Sequence, residues 1–255
     1  MQEERETKKE TAEIPIEEIW GKKKKILVIL AHPDDPEFFC GGTIAKWTAA
    51  GNEVVYCLLT KGDKGIQEGF NFRGDIKDLR IKEQKEASVE LGVNEIVFLE
   101  YKDGYLVPNL EMRKRITYII RKIQPEIVVT CDPTNYFIRD DYINHPDHRA
   151  VGQATIDAVF PASQNARIFP DLLEQEELHP HHVQEVWLSL PYQPNLTVNV
   201  TDTWDKKIAA LLNHQSQIGD PEVFIERMKS SHTEDTDASN PRYEEHFRRI
   251  ILRKK

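Results

Sequence analysis

Ile26 to Ala31 (ILVILA) is a short, continuously apolar run, the pattern of a strand buried on both faces of a parallel sheet. A helical stretch follows from about Pro36 to Ala50, with Pro at an early helical position and Gly51 as its stop signal. The alternation then repeats. Val54 to Leu59 reads as a strand, Asp78 to Leu91 as a helix closed by Gly92, and Glu95 to Leu99 as a third strand. In Leu110 to Ile123, Ile116, Ile119, Ile120 and Ile123 recur at three- and four-residue steps, one face of an amphipathic helix. Ile127 to Cys131 is strand-like and Pro146 to Phe160 helical.

Strand and helix in that order predict an α/β fold, a Rossmann-like, mostly parallel sheet with helices on both faces. Ligands of such sheets bind beyond the carboxyl ends of the strands. After Phe160 the pattern blurs. Residues 161–184 read as a long loop, Glu185 to Leu190 and Leu196 to Val200 as strands, and Trp204 to His214, Glu222 to Lys229 and Tyr243 to Leu252 as closing helices. Residues 1–22, rich in Glu, Lys and Thr, are expected to be a charged tail or an ornament docked through Ile16, Ile19 and Trp20, and residues 23–255 a single domain.

Composition removes several function classes. With 43 acidic against 34 basic residues and a formal net charge of −9, the chain lacks the basic surface that phosphate neutralisation needs, so no nucleic-acid partner is expected. Cys40, Cys57 and Cys131 are odd in number and without CxxC spacing, which excludes a disulfide framework or a thiolate zinc site. The first twenty residues lack the apolar region of a secretory signal, and no apolar run approaches the roughly 20 residues of a membrane span. The expectation is a cytoplasmic protein with no membrane partner. No GxGxxG follows a strand and no GxxxxGK[ST] occurs, so dinucleotide and P-loop readings lose their support.

What stands at the end of the first strand is His32-Pro33-Asp34-Asp35-Pro36-Glu37, an imidazole and three carboxylates at the opening of a helix. Asn144-His145-Pro146-Asp147-His148-Arg149 opens another helix after another strand. If both loops leave the same sheet edge, the two clusters meet. Imidazole and carboxylate without thiolate suit zinc, Fe(II) or Mn(II). His32, Asp35 and His148 can supply a two-histidine, one-carboxylate set, leaving Asp34 to take a proton from water and His145 to stabilise an oxyanion or protonate an amine. Asp147 is expected to orient and charge His145. Taken by itself, HPDD reads equally well as a capped turn with Asp35 at the N-cap. Two such helix openings on one edge are harder to explain as capping. The cluster His179-Pro180-His181-His182 reads as a solvated loop rather than a second metal site. Cys40 and Cys131 read as core fillers.

The segment AHPDDPEFFCGGTIAKW together with HPDHR resembles the PIG-L or LmbE-like family of zinc-dependent N-acetylglucosaminyl deacetylases. The similarity continues through Leu59 to Asp63, Arg80 to Gln84, Leu91 to Val93, Lys207 to Leu211 and His214 to Gln217, and spans roughly residues 24–252. It implies a zinc (or other divalent metal such as Fe2+) site of His32, Asp35 and His148. By the same resemblance Asp34 is the general base, His145 the oxyanion stabiliser or general acid, Arg80 a substrate contact and His214 a residue of the pocket wall. Without the resemblance, Arg80 would read as a helix-surface partner of Glu83 or Asp75, and His214 as a hydrogen-bonded, partly buried side chain. The resemblance further implies release of acetate from a small amino-sugar conjugate and a homo-oligomer such as a trimer or hexamer. Pro36 between Asp35 and Glu37 places the chain with the HPDDxE branch and leaves the role of Glu37 open. Two alternatives are metal-assisted phosphoester hydrolysis and a non-catalytic sugar-binding module.

Overall fold

The computed structural model describes residues 12–13 and 22–253. In chain order the elements are β1 (Ala12–Glu13), β2 (Lys25–Leu30), α1 (Asp35–Ala49), β3 (Glu53–Thr60), α2 (Ile76–Glu90), β4 (Glu95–Tyr101), α3 (Leu110–Ile123) and β5 (Ile127–Cys131). They continue with the hairpin β6 (Phe137–Arg139) and β7 (Tyr142–Ile143), then α4 (Pro146–Asp157), α5 (Asp171–Glu174), β8 (Glu185–Ser189) and β9 (Leu196–Asn199). The chain ends with α6 (Trp204–Leu212), α7 (Gln215–Ile218), α8 (Pro221–Lys229) and β10 (Glu244–Ile251).

The main sheet runs β1-β9-β10-β8-β5-β2-β3-β4. Its body, from β8 to β4, is parallel throughout. After β4 the chain returns across the sheet to β5 on the other side of β2. The gap between the ends of β2 and β5 is therefore the topological switch point, where ligands of open α/β sheets bind.

Side-chain alternation along β2 shows why the run had to be continuously apolar. Ile26, Val28 and Leu30 enter one core with α1, α2 and α6, while Leu27 and Ile29, with Ala31 beyond the strand, enter the other with α3 and α4. The expected amphipathic helix is α3, whose Ile116, Ile119 and Ile120 are buried. Helix α2 starts at Ile76 with the Asp75 carboxylate accepting from Lys77 N–H, a side-chain cap that advances the helix beyond the expected Asp78.

One expectation is corrected. Tyr243 to Leu252 is not a helix: β10 runs antiparallel to both β8 and β9. Its apolar spacing fits either period, but Tyr243 and Phe247 face one core while Ile250 and Leu252 face the other, which a strand between two layers can do. Within the segment assigned to a tail, Ala12 and Glu13 pair in parallel with Leu196 and Thr197; Ile16, Ile19 and Trp20 lie outside the described residues. In the 161–184 segment, Arg121 ties the turn after α4 by donating to the carbonyls of Ala162, Asn165 and Ile168. No described helix is long and apolar enough to cross a membrane.

Helix α4, which carries the second histidine motif, lies directly on the end of β5 because Gly152 has no side chain. A Cβ built there would stand 2.3 Å from the Cys131 carbonyl oxygen and 3.2 Å from Pro133 Cδ. Gly152→Ala is expected to destabilise the fold by about 1–3 kcal/mol through overpacking, read as a lower denaturation midpoint. An unchanged midpoint would mean that α4 is free to move off the strand.

Candidate metal and active site

The turn after β2 is shaped by Asp35. Its Oδ2 accepts from the backbone N–H of Ala31 (3.1 Å) and of His32 (2.9 Å), closing the turn on itself. Asp34, not Asp35, occupies the N-cap position of α1, in a left-handed conformation (φ 91°, ψ −30°) and without a side-chain capping bond. Asp35 is therefore not the N-cap: its carboxylate closes the turn ahead of the helix, and the Asp34 side chain makes no cap. His145 is the N-cap of α4, and its Nδ1 accepts from Asp147 N–H at 3.2 Å. In neutral His145 the proton is thereby placed on Nε2.

The two loops meet as the parallel order requires. Asp35 lies between His148 Nε2 (3.2 Å to Oδ1) and His32 Nδ1 (3.5 Å to Oδ2). The outer nitrogen of each imidazole faces an acceptor. His148 Nδ1 faces Asn144 Oδ1 at 3.0 Å, and the Asn144 amide is oriented by Nδ2 donating to the Asn135 carbonyl. His32 Nε2 faces Asp103 at 3.1 Å and Asp147 at 3.2 Å. With the outer nitrogens held by these acceptors, the inner nitrogens both face the Asp35 carboxylate, an arrangement that a proton or a metal cation between them satisfies. The donor set fits a divalent metal.

His32, His145 and His148 come within 4.8 Å of one another, and so do His32, Asp103 and Asp147. The second trio uses the outer nitrogen of the same His32. Its carboxylates are already engaged: Asp147 accepts from Gly104 and Leu106 N–H, and Asp103 from Lys64 N–H. Among the described residues the two trios are thus not independent sets. Asp147 bears on both rings. Its backbone N–H fixes His145 and its charge raises that ring, while its carboxylate also faces His32.

Charge follows this geometry. Burial pushes the Asp35 carboxyl up, but His148 and His32 outweigh it and hold it well below the usual carboxylate range. Burial pulls His32 down, and Asp35, Asp103 and Asp147 together raise it above the usual histidine value. Asp34 is pushed up to about 6 by burial, against the lowering effect of Arg80. Burial, with His32 and His148, lowers His145.

These groups open into a cavity of about 630 Å³ lined by His32, Asp34, Asp35, Arg80, His145 and His148, within the roughly 300–1,000 Å³ span of small-molecule sites. Arg80 is buried and holds Asp34 Oδ2 at 3.3 Å. It also donates to the carbonyls of Gly65 and Pro33, so it is no helix-surface partner of Glu83 or Asp75. His214 does not line the cavity as expected of a substrate contact: it is fully buried, with Nε2 facing Glu37 Oε2 at 3.3 Å. Its neighbour Gln217 reaches the wall instead, with Lys64, Gly65, Tyr142 and the two phenylalanines Phe38 and Phe39. Asp103 belongs to no sequence motif; an Asp-Gly pair after the third parallel strand is its one signal. His181 bonds the Pro125 carbonyl, in keeping with a structural loop. The three cysteines are free and buried, and burial pushes the Cys57 thiol up to about 12.

A Rossmann-like sheet with a two-histidine, one-carboxylate cluster at its switch point, and a carboxylate and an imidazole left over beside it, defines a metal-dependent hydrolase. The family model described as "PIG-L: GlcNAc-PI de-N-acetylase" matches residues 27–159. A diacetylchitobiose deacetylase of Thermococcus kodakarensis is 37% identical over 79% of this chain and 73% of its own length. A probable N-acetyl-alpha-D-glucosaminyl L-malate deacetylase 2 of Bacillus cereus is 28% identical over 76% and 84%. Among solved structures, N,N'-diacetylchitobiose deacetylase from Pyrococcus horikoshii superposes with a TM-score of 0.79 at 32% identity, covering 91% of this chain and 85% of that one. The chain belongs to the PIG-L family, and it is a metal-dependent N-deacetylase. Neither a phosphoesterase nor a non-catalytic module is favoured by these relatives.

If Asn144 holds the His148 ring as a metal ligand needs, Asn144→Ala is expected to weaken zinc binding about 10–100-fold, measured by competition with a chelator. Unchanged affinity would remove Asn144 from the support of the site.

Proposed function

We propose that the chain removes the acetyl group from the 2-acetamido group of a small GlcNAc conjugate, with zinc held by His32, Asp35 and His148. The observation that carries this reading is the pair of imidazole nitrogens, His32 Nδ1 and His148 Nε2, converging on Asp35 with Asp34 and His145 beside them in one cavity. A divalent cation held by these three residues would supply Lewis acidity toward water and the amide carbonyl. Asp34, which is not needed to hold the metal, accepts the proton of the attacking water, with Arg80 at its Oδ2 fixing the carboxylate. His145, with its proton on Nε2, donates to the oxyanion that develops on the carbonyl. Asp34 then returns its proton to the departing amine. Asp147 and Asp103 keep His32 oriented throughout.

The likeness to diacetylchitobiose deacetylases supports a short GlcNAc oligosaccharide as the substrate. Free, buried cysteines suit a reducing cytoplasm. Phe137 and Ile143 of the hairpin beside the cavity are each 69% exposed, which supports burial against a second copy in a homo-oligomer.

Acetate release from N,N'-diacetylchitobiose, GlcNAc-malate and GlcNAc-inositol by zinc-loaded protein tests this reading. Turnover of at least one is expected, and Asp34→Ala is expected to lower kcat by at least about 100-fold while zinc content stays unchanged. Full activity of that variant would remove Asp34 as the base.

A further inference from the structure

Asp34 is held in a backbone conformation that L-residues rarely adopt. Its φ of 91° costs of order 1–3 kcal/mol unless the surroundings enforce it. One direct bond does so. The Asp34 N–H donates to Gln84 Oε1 at 2.8 Å, from the middle of α2 and fifty residues away in sequence. Because a backbone N–H can only donate, it fixes which way the Gln84 amide faces. Nε2 must then point the other way, and it donates to Glu37 Oε1 at 2.9 Å. Glu37 Oε2 faces His214 Nε2 at 3.3 Å. Gln84, Glu37 and His214 are all fully buried.

We propose that Gln84, locked by Glu37 and His214, is a positioning residue that holds Asp34 in its left-handed turn with the carboxylate in the cavity beside Arg80. Its bearing on turnover rests on the reading of Asp34 as the base. The network gives Glu37 a role: it stands two residues beyond Asp35 because the first turn of α1 must present a fixed acceptor to α2. It gives His214 one as well, in a site it does not touch. His214 Nδ1 has no hydrogen-bond partner among the described residues, so its hydrogen-bonded link to Asp34 runs through Glu37 and Gln84.

The test combines kinetics and crystallography on zinc-loaded full chain. Gln84→Met keeps the volume and removes both bonds; Gln84→Asn keeps the amide but is one methylene too short to span from Glu37 to Asp34. Each is expected to lower kcat for acetate release about 10–100-fold, the scale of a misplaced catalytic group, with KM and zinc content within about twofold of the native values. In an Asp34→Ala background neither should lower the residual rate further, since positioning an absent carboxylate is worthless. A kcat within twofold of native in both variants, or losses that add to that of Asp34→Ala, would overturn the proposal. If Asp34→Ala itself kept full kcat, the base reading would fall. The crystal structure of Gln84→Asn would then decide the positioning claim: a φ of Asp34 outside the left-handed region supports it, and an unchanged φ overturns it.

Discussion

The meeting of His32 and His148 on Asp35 is the interaction around which the cavity is organised. A carboxylate between two imidazole nitrogens calls for positive charge there, from protons on the rings or from a metal cation, and further groups hold both rings in place. Asn144 and Asn135 hold one ring, and Asp147 and Asp103 hold the other. Asp35 itself is spent on the turn that delivers His32. Both rings and Asp35 are thus fixed by groups on their outer sides, while Asp34 and His145 stand beside them in the same cavity.

The sheet makes that meeting possible, and its C-terminal strand secures it. Helix α1 carries Asp35 and Glu37 in its first turn and is interrupted at Cys40, where φ is −150°. At the break the N–H groups of Gly42 and Thr43 donate to the two oxygens of Glu245 on β10 at 3.0 and 2.8 Å. Glu245 also meets the Lys207 ammonium at 2.7 Å, which in turn donates to the Phe38 carbonyl at 2.8 Å. A buried ion pair stabilises only when its remaining bonding capacity is used, and here each partner also bonds backbone on one or other side of the break. The strand that reads as a helix in the sequence is therefore tied to the helix that bears the first motif.

What was legible in the sequence was local. Ile26 to Ala31 announces a buried strand because both faces of β2 are covered, and HPDD and HPDH stand out because each motif is contiguous and opens a helix. What was not legible depends on partners far along the chain. Tyr243, Phe247 and Ile250 satisfy a helical spacing as well as a strand spacing, and only pairing with β8 and β9 decides between them. Asp147 adjoins His145 in sequence, yet its carboxylate turns to His32 and the 104–106 backbone. His214 sits in a polar motif, yet lies behind the wall that Gln217 forms. Asp103 and Gln84 carry no pattern of their own and acquire meaning through His32 and Asp34.

Anomalous diffraction at the zinc edge, from crystals of the full chain grown with zinc, tests the central claim most directly. The account predicts a single strong peak within bonding distance of His32 Nδ1, Asp35 and His148 Nε2, with Asp34 and His145 beside it and unbonded. A peak on the other side of the ring, among His32 Nε2, Asp103 and Asp147, or no peak at either position, would contradict it.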